Sequence, residues 1–597
     1  FDPSVPVRDE NGDYSIFPDM AQYPNPISLL EVTDKTTSDR VLVNGYLQAE
    51  PIKGLTLKAN LGVDRRYDKN KSYVPNTTVA GAAKGGIANI LQRDNIDYLM
   101  ELTANYTKDF GNHSLTALVG YSYQQFNQES VYAGNEDFST DGFLYNNLQA
   151  GAGTKPYVNS SARKSALGSY FARANYSYLG KYLLTVTVRA DGESNFHPDY
   201  RWGYFPSVSA GWRFSDEEFM KPLSSILSNG KLRASYGQTG NSNIGNYMTD
   251  SYGVVSGWVF GNDGYMGTAI TKRGNKKLTW ETTSEFNIGL DLGFFDNRIS
   301  LSMEYYNRII SDLLVSNKSL PAYNEINTIA ANIGKTQGRG FELTLSTVNI
   351  MNKDWTWSTD FTFYTFKDNW YERDPNWKPA AYESKKDPIR SYYSYVSDGL
   401  LQVGEKAPAW QPTLVPGQIK LKNLYDTGTS PNVLDQYDKV NLGSQDPKCT
   451  LGLNNTLRYK NLDFNIYFYG EIGRLRGASY YDAWIVGLGN SLTNVSQQSL
   501  HSYTNANQNT TVPNLIESAY DFGDYYHKKI NYLRCRNITL GYTIPVSKSI
   551  ANSVRISANV SNPFVFTNWN GVDPETDTGN FSYPNVTSFS FGIDISL

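Results

Sequence analysis

Hydrophobic and polar positions alternate along this chain with a period of two, in segments of roughly ten residues, the pattern of strands with one apolar and one polar face. "LTLKANLGV" sets Leu55, Leu57, Ala59, Leu61 and Val63 on one face, and "LTALVGYSY" does so with Leu115, Ala117, Val119, Tyr121 and Tyr123. "FNIGLDLGFF" aligns Phe286, Ile288, Leu290, Leu292 and Phe294, and "LDFNIYFYG" opposes Leu462, Phe464, Ile466 and Phe468 to Asp463, Asn465, Tyr467 and Tyr469. The last ten residues, "SFSFGIDISL", alternate to the end, so the carboxylate follows directly on Leu597.

Alternation fits a soluble sandwich as well as a membrane barrel, and connection lengths separate the two. The pattern predicts strands near 41–50, 55–66, 96–109, 114–126, 166–179, 181–193, 203–214 and 229–237, and further ones near 281–295, 298–310, 337–349, 354–366, 448–459, 461–471, 529–543, 553–562 and 586–597. Short turns such as "PIKG", "GNH", "GK", "DN", "MNKD" and "KN" alternate with long connectors at 67–95, 127–165, 238–280, 311–336, 367–447, 472–528 and 563–585. Membrane barrels sort their loops in this way, short on the periplasmic side and long outside. The fold expected is therefore all-β, a transmembrane antiparallel β-barrel, with residues 41–597 supplying about 17 strands and residues 1–40 an extracellular loop. Bacterial single-chain barrels have an even strand number, so an odd number of strands is expected upstream, and the plugged class of about 22 strands accommodates them. The final strand then descends to the periplasmic rim and pairs with the first strand of the whole barrel, which removes both edges.

Composition agrees with this picture. Aromatics make up 14% of 597 residues, with 45 Tyr and 49 Gly, yet mean hydropathy is only −0.48, as for strands that spread their apolar residues thinly. No apolar run is long enough for a membrane helix. A net charge of −4 without a basic stripe argues against nucleic acid. Cys449 and Cys535 read as two isolated thiols. The opening "FDPSVPVRDENGDYSIFPDM" lacks the basic start and apolar core of a signal peptide and reads as the interior of a loop, so a longer natural protein is expected.

Catalytic chemistry has no foothold in the sequence. His113, His197, His501 and His527 have no ligand spacing, and there is no nucleophile elbow or phosphate loop. The reading is a non-enzyme without metal or cofactor. Binding has a signal in the outer loops. Trp370, Tyr371, Trp377 and Tyr382 in "DNWYERDPNWKPAAYESKK", and Tyr480, Tyr481 and Trp484 in "YYDAWIVGLGNS", offer flat faces suited to sugar rings or peptide side chains; the competing reading is loop packing or contact with a partner. Tyr106, Tyr459 and Tyr542 sit where an interfacial girdle is expected. In "NYLRCRNITLGY", strict alternation would put Arg534 and Arg536 on the lipid face with Ile538 and Leu540, at about 2–4 kcal/mol each near the midplane. A β-bulge near Arg536–Asn537 would return both to the lumen, against the plug.

Several stretches resemble the SusC/RagA-type TonB-dependent outer-membrane transporters of Bacteroidota: "KKLTWETTSEFNIGLDLGFFDNRISLSMEYYNRIISDLLV" (276–315), "YKNLDFNIYFYGEIG" (459–473), "NYLRCRNITLGYTIP" (531–545), "NPFVFTNWNGVDPETD" (562–577) and the closing strand. The resemblance implies a plug domain and TonB box outside this chain and coupling to TonB–ExbB–ExbD. It also implies a SusD-like surface lipoprotein acting as a lid, and import of oligosaccharides or oligopeptides through a wall surrounded by membrane lipids and lipopolysaccharide. On that reading the outer-loop aromatics serve the substrate or the lid. The family usually ends in Phe where this chain has Leu597. In 416–448, Asp426, Asp435 and Asp438 remain from a cation-loop-like segment without its regular oxygen spacing, which favours a solvated acidic loop over a Ca²⁺ site. Competing functions are a passive porin and a barrel-anchored adhesin.

Overall fold

The computed structural model describes residues 5–16, 24–154, 156–260, 263–321, 326–425, 432–477, 497–516, 520–546, 552–571, 573–576 and 583–596. Its backbone is one 17-stranded sheet. The strands are β1 (Thr33–Ile52), β2 (Leu55–Val74), β3 (Ile87–Phe110), β4 (His113–Glu136), β5 (Tyr157–Tyr178), β6 (Tyr182–Glu193), β7 (Trp202–Trp212), β8 (Leu227–Asn241), β9 (Glu281–Phe294), β10 (Ile299–Ser311), β11 (Lys335–Met351), β12 (Trp355–Glu372), β13 (Cys449–Tyr459), β14 (Leu462–Gly477), β15 (His527–Ile544), β16 (Ser553–Thr567) and β17 (Ser588–Ser596). Each pairs antiparallel with the next in sequence, from β1–β2 to β16–β17. This is the expected meander of a transmembrane barrel wall. Among the described residues β1 and β17 are paired on one side only. Leu597, expected at the periplasmic rim, lies outside the described residues.

Several strands outrun the expected bounds. β3 and β4 are 24 residues each, where about 9–11 suffice to cross the apolar layer. The segments 67–74, 87–95, 127–136 and 157–165 are thus strand and not loop, and β1 begins at Thr33, inside the stretch expected to be loop up to residue 40. The reason is physical: above the membrane both faces are wet, so hydrogen-bonded pairing continues after the apolar alternation that marks it in sequence has faded. Loop sorting also has one exception. The periplasmic connector 213–226 carries two short 3₁₀ turns and is longer than the outer connector 194–201.

The outward face follows the alternation. Phe589, Phe591, Ile593 and Ile595 are 70%, 84%, 71% and 60% exposed, as suits side chains whose neighbours are lipid and not protein. At the periplasmic ends, Trp355 packs on Tyr459 with ring centroids 4.4 Å apart, and Tyr542 pairs with Leu462 in the adjacent strand, forming an interfacial girdle. On the polar face, charged groups span several strands. Arg233 of β8 lies across β9 and donates from Nε to Asp291 at 3.0 Å and from Nη2 to Glu304 of β10 at 2.5 Å. Gly289 makes this crossing feasible, because a Cβ there would meet the guanidinium carbon at 2.5 Å.

Candidate functional site: the outer loops and the arginine hub

Among the described residues, three of the outer connectors pack together into a cap with its own core. Leu400, Ile419 and Leu421 from 373–448, Tyr503 and Tyr526 from 478–526, Ile530 at the outer end of β15 and Trp569 from 568–587 pack as one buried cluster. Two short hairpins organise the first connector, Ser391–Ser394 with Val440–Ser444 and Ser397–Leu400 with Ile419–Leu421. Fully buried Gln411 ties the second together, accepting from Leu421 N at 2.7 Å. The two largest connectors are joined by main-chain bonds: Asn514 N donates to Gly417 O at 3.0 Å and Asp524 N to Tyr395 O at 2.9 Å. Gly417 has φ +89°, and a Cβ there would meet the Tyr503 ring at 2.6 Å; only glycine allows both the turn and the contact.

The aromatic residues singled out from sequence divide. Trp370 and Tyr371 belong to the top of β12 and not to the loop. Trp370 and Trp377 both take the Arg373 guanidinium, which lies 5.3 Å and 3.7 Å from the two ring centroids. Tyr382 packs on Tyr393 at 5.2 Å. Trp370, Trp377 and Tyr382 thus make contacts within the protein and are half-buried, whereas Tyr371 is 59% exposed. Tyr480, Tyr481 and Trp484 lie outside the described residues. Tyr393 was not anticipated; burial and its hydrogen bond to Asp387 push its hydroxyl up to about 12, which keeps it a neutral donor.

The segment expected to be a solvated acidic loop is built differently. Asp438 is fully buried, and its carboxylate accepts from Leu424 N, Tyr425 N and Asp435 N at 2.7, 3.0 and 2.9 Å. Asp435 in turn caps the short turn 436–438. These carboxylates serve the backbone, because a chain reversal inside the cap has donors that water cannot reach. Asp426 lies outside the described residues.

The arginine pair sits at the base of this cap. Pairing of β15 with both neighbours skips Arg536, with Phe468 opposite Cys535 and Tyr467 opposite Asn537. The extra residue moves Arg534 into register with Tyr469, on the face carrying Asp463, Asn465 and Tyr467. There Arg534 is 3% exposed. It donates to Asp573 at 2.9 Å and to Glu575 at 2.5 Å, and Arg536 reaches the other Glu575 oxygen at 2.5 Å. Arg476 donates to Pro574 O in the same loop. The carboxylates were legible in "NGVDPETD", but nothing in sequence joined them to a strand some forty residues earlier.

The TonB dependent receptor-like, beta-barrel family matches residues 4–562. The chain belongs to that family. It is 31% identical over its whole length to TonB-dependent receptor P3 of Formosa agariphila, covering 62% of that protein. With TonB-dependent receptor SusC of Bacteroides thetaiotaomicron it shares 28% identity over 96% of this chain and 57% of the relative. The RagAB peptide transporter superposes with a TM-score of 0.82 at 25% identity, covering 96% of this chain and 63% of that one. The chain thus spans about three fifths of the length of the curated relatives it matches. This TonB-dependent receptor barrel is of the SusC/RagA type and its place is the outer membrane of Bacteroidota; the family is one of transporters and receptors, not of enzymes.

Proposed function

We propose that the chain forms the wall and outer cap of an active importer, energised through TonB–ExbB–ExbD by way of segments beyond these residues. Its substrate class is oligosaccharide or oligopeptide, and its outer partner is a SusD-like lipoprotein lid. The observation that carries this reading is the likeness to the RagAB peptide transporter, which extends over 96% of the chain at a TM-score of 0.82 and so takes in the cap as well as the wall. The structured cap supports it too: connectors of this size are uncommon unless functional, and here the largest of them share a hydrophobic core.

Contact with lid or cargo falls to the outer rim, where Tyr371 at the top of β12 is exposed, while Trp370 and Trp377 hold Arg373. Toward the plug, Arg536 is the arginine with exposure left, 31% of its side chain against 4% for Arg534.

The test is removal of residues 398–420 from the chromosomal gene. Each wall strand keeps its neighbours, so the barrel is expected in the outer membrane at normal abundance. Recovery of the lipoprotein with the affinity-tagged barrel should fall at least about tenfold, and growth on the polymer that induces the gene pair should stop. Normal partner recovery with normal growth would show that the cap has no part in import.

A further inference from the structure

Above the lipid-facing band on one side of the wall, a pocket gathers Lys367, Lys448 and Lys529. Lys367 and Lys529 lie on the outward face of the wall. Lys367 of β12 lies on the face of Phe361 and Phe363, and its cross-strand neighbour on β11 is Arg339, on the face of Phe341. Lys529 of β15 shares the face of Asn531 and Leu533, whereas Ile530 between them is buried in the cap core. Lys448 lies over Gly473, where a Cβ would touch its stem at 2.9 Å. Ile472 and Leu533, each 39% exposed, mark the upper edge of the apolar band directly beneath.

The charges in this pocket do not cancel. Asp446 is taken by Arg390 at 2.8 Å, and Asp368 accepts from Ile389 N at 3.3 Å. Among the described residues none of the three lysines is ion-paired. By contrast, Arg65 of β2 on the same outward face is bidentate on Asp94 of β3, at 3.1 and 2.7 Å. Three unpaired ammonium groups at the height where acyl chains give way to headgroups make a site for anions held in the membrane plane.

We propose that Lys367, Lys448 and Lys529 bind the phosphate of a glycolipid headgroup in the outer leaflet. The lipid, and not a free anion, is the occupant, because the pocket opens above residues whose apolar side chains would contact the acyl chains of the same molecule. This inference rests on the outer-membrane location alone and not on the import reading.

The test uses the full-length protein, purified in detergent, with bound lipid counted by native mass spectrometry. The probes are lipid A carrying its phosphate, enzymatically dephosphorylated lipid A, and inorganic phosphate as competitor. Each lysine near a charged surface contributes about fivefold in affinity. The native protein should therefore retain the phosphorylated lipid at least about tenfold better than the dephosphorylated one. The combined variant Lys367→Gln, Lys448→Gln, Lys529→Gln should lose that preference, whereas Lys108→Gln, at the periplasmic end of β3, should keep it. Heat-modifiable migration on gels shows whether the combined variant is folded; if it is not, the three single variants should each weaken retention about fivefold. Equal retention of both lipids by the native protein, or an unchanged preference in folded variants, overturns the proposal. So does displacement by inorganic phosphate at concentrations matching the lipid.

Discussion

Arg534 donates from Nη2 to Asp573 Oδ2 at 2.9 Å, and the two side chains are only 4% and 5% exposed. One strand of the wall thereby holds the last outer connector, which starts after β16. A buried pair broken on one side loses more than the pair contributed, because the remaining charge stays buried without its partner. Arg534→Met should destabilise the closed connector by about 3–5 kcal/mol while the barrel stays intact. Amide exchange in 573–576 and 583–587 should rise, with exchange in β9 and β10 unchanged. Adding Asp573→Asn to the same chain removes the unpaired charge while keeping an acceptor for Glu575 N and Thr576 N, and should recover part of the protection.

The same hub has a predictable response to acid. Burial works to raise the Asp573 carboxyl, but the backbone N–H groups of Glu575 and Thr576 and the Arg534 charge outweigh it and hold the group below its ordinary value. A depressed folded value means the contribution is fully present above the ordinary Asp range and is lost as pH falls through the folded one. Protection of 573–576, corrected for intrinsic exchange, should be flat from neutrality to about pH 5 and decline only below about pH 4. Asp573→Asn should abolish that decline.

Gly417→Ala tests the seam between the two largest connectors. The new Cβ meets the Tyr503 ring at 2.6 Å and the backbone has φ +89°, so strain of about 1–3 kcal/mol is expected. Limited proteolysis should cut the cap several times faster than in the native protein, at sites within 398–425 or 497–516. A cut rate equal to that of the native protein would mean the seam contributes nothing to closure.

Gly289→Val tests the polar face of the wall. It displaces Arg233, whose guanidinium carbon lies 2.5 Å from where a Cβ on residue 289 would stand, and leaves Asp291 and Glu304 to repel each other. Removing the cation in Arg233→Met should act in the same direction. Both variants should unfold at lower temperature in a heat-modifiability assay, by about 1 kcal/mol for each partly buried group left unsatisfied. Combining the two should add little, since they break one network.

The alternation of Leu55 to Val63, Phe286 to Phe294 and Phe589 to Ile595 determined the wall by itself, together with the sorting of connectors into short and long. Strand pairing between neighbours in sequence is local, so a period-two pattern and a turn suffice to specify it. The bulge at Arg536 was also legible, because two arginines on a lipid face would be too unfavourable to leave there. Only the tertiary structure decided what the arginines meet. Asp573 and Glu575, the Gly417–Tyr503 contact, and the gathering of Lys367, Lys448 and Lys529 each join segments far apart in sequence. No periodicity records such meetings, since they depend on how loops fold over a wall that must exist first. For the same reason Asp438 reads as a solvated acid in sequence and is a buried acceptor of three backbone bonds in the cap.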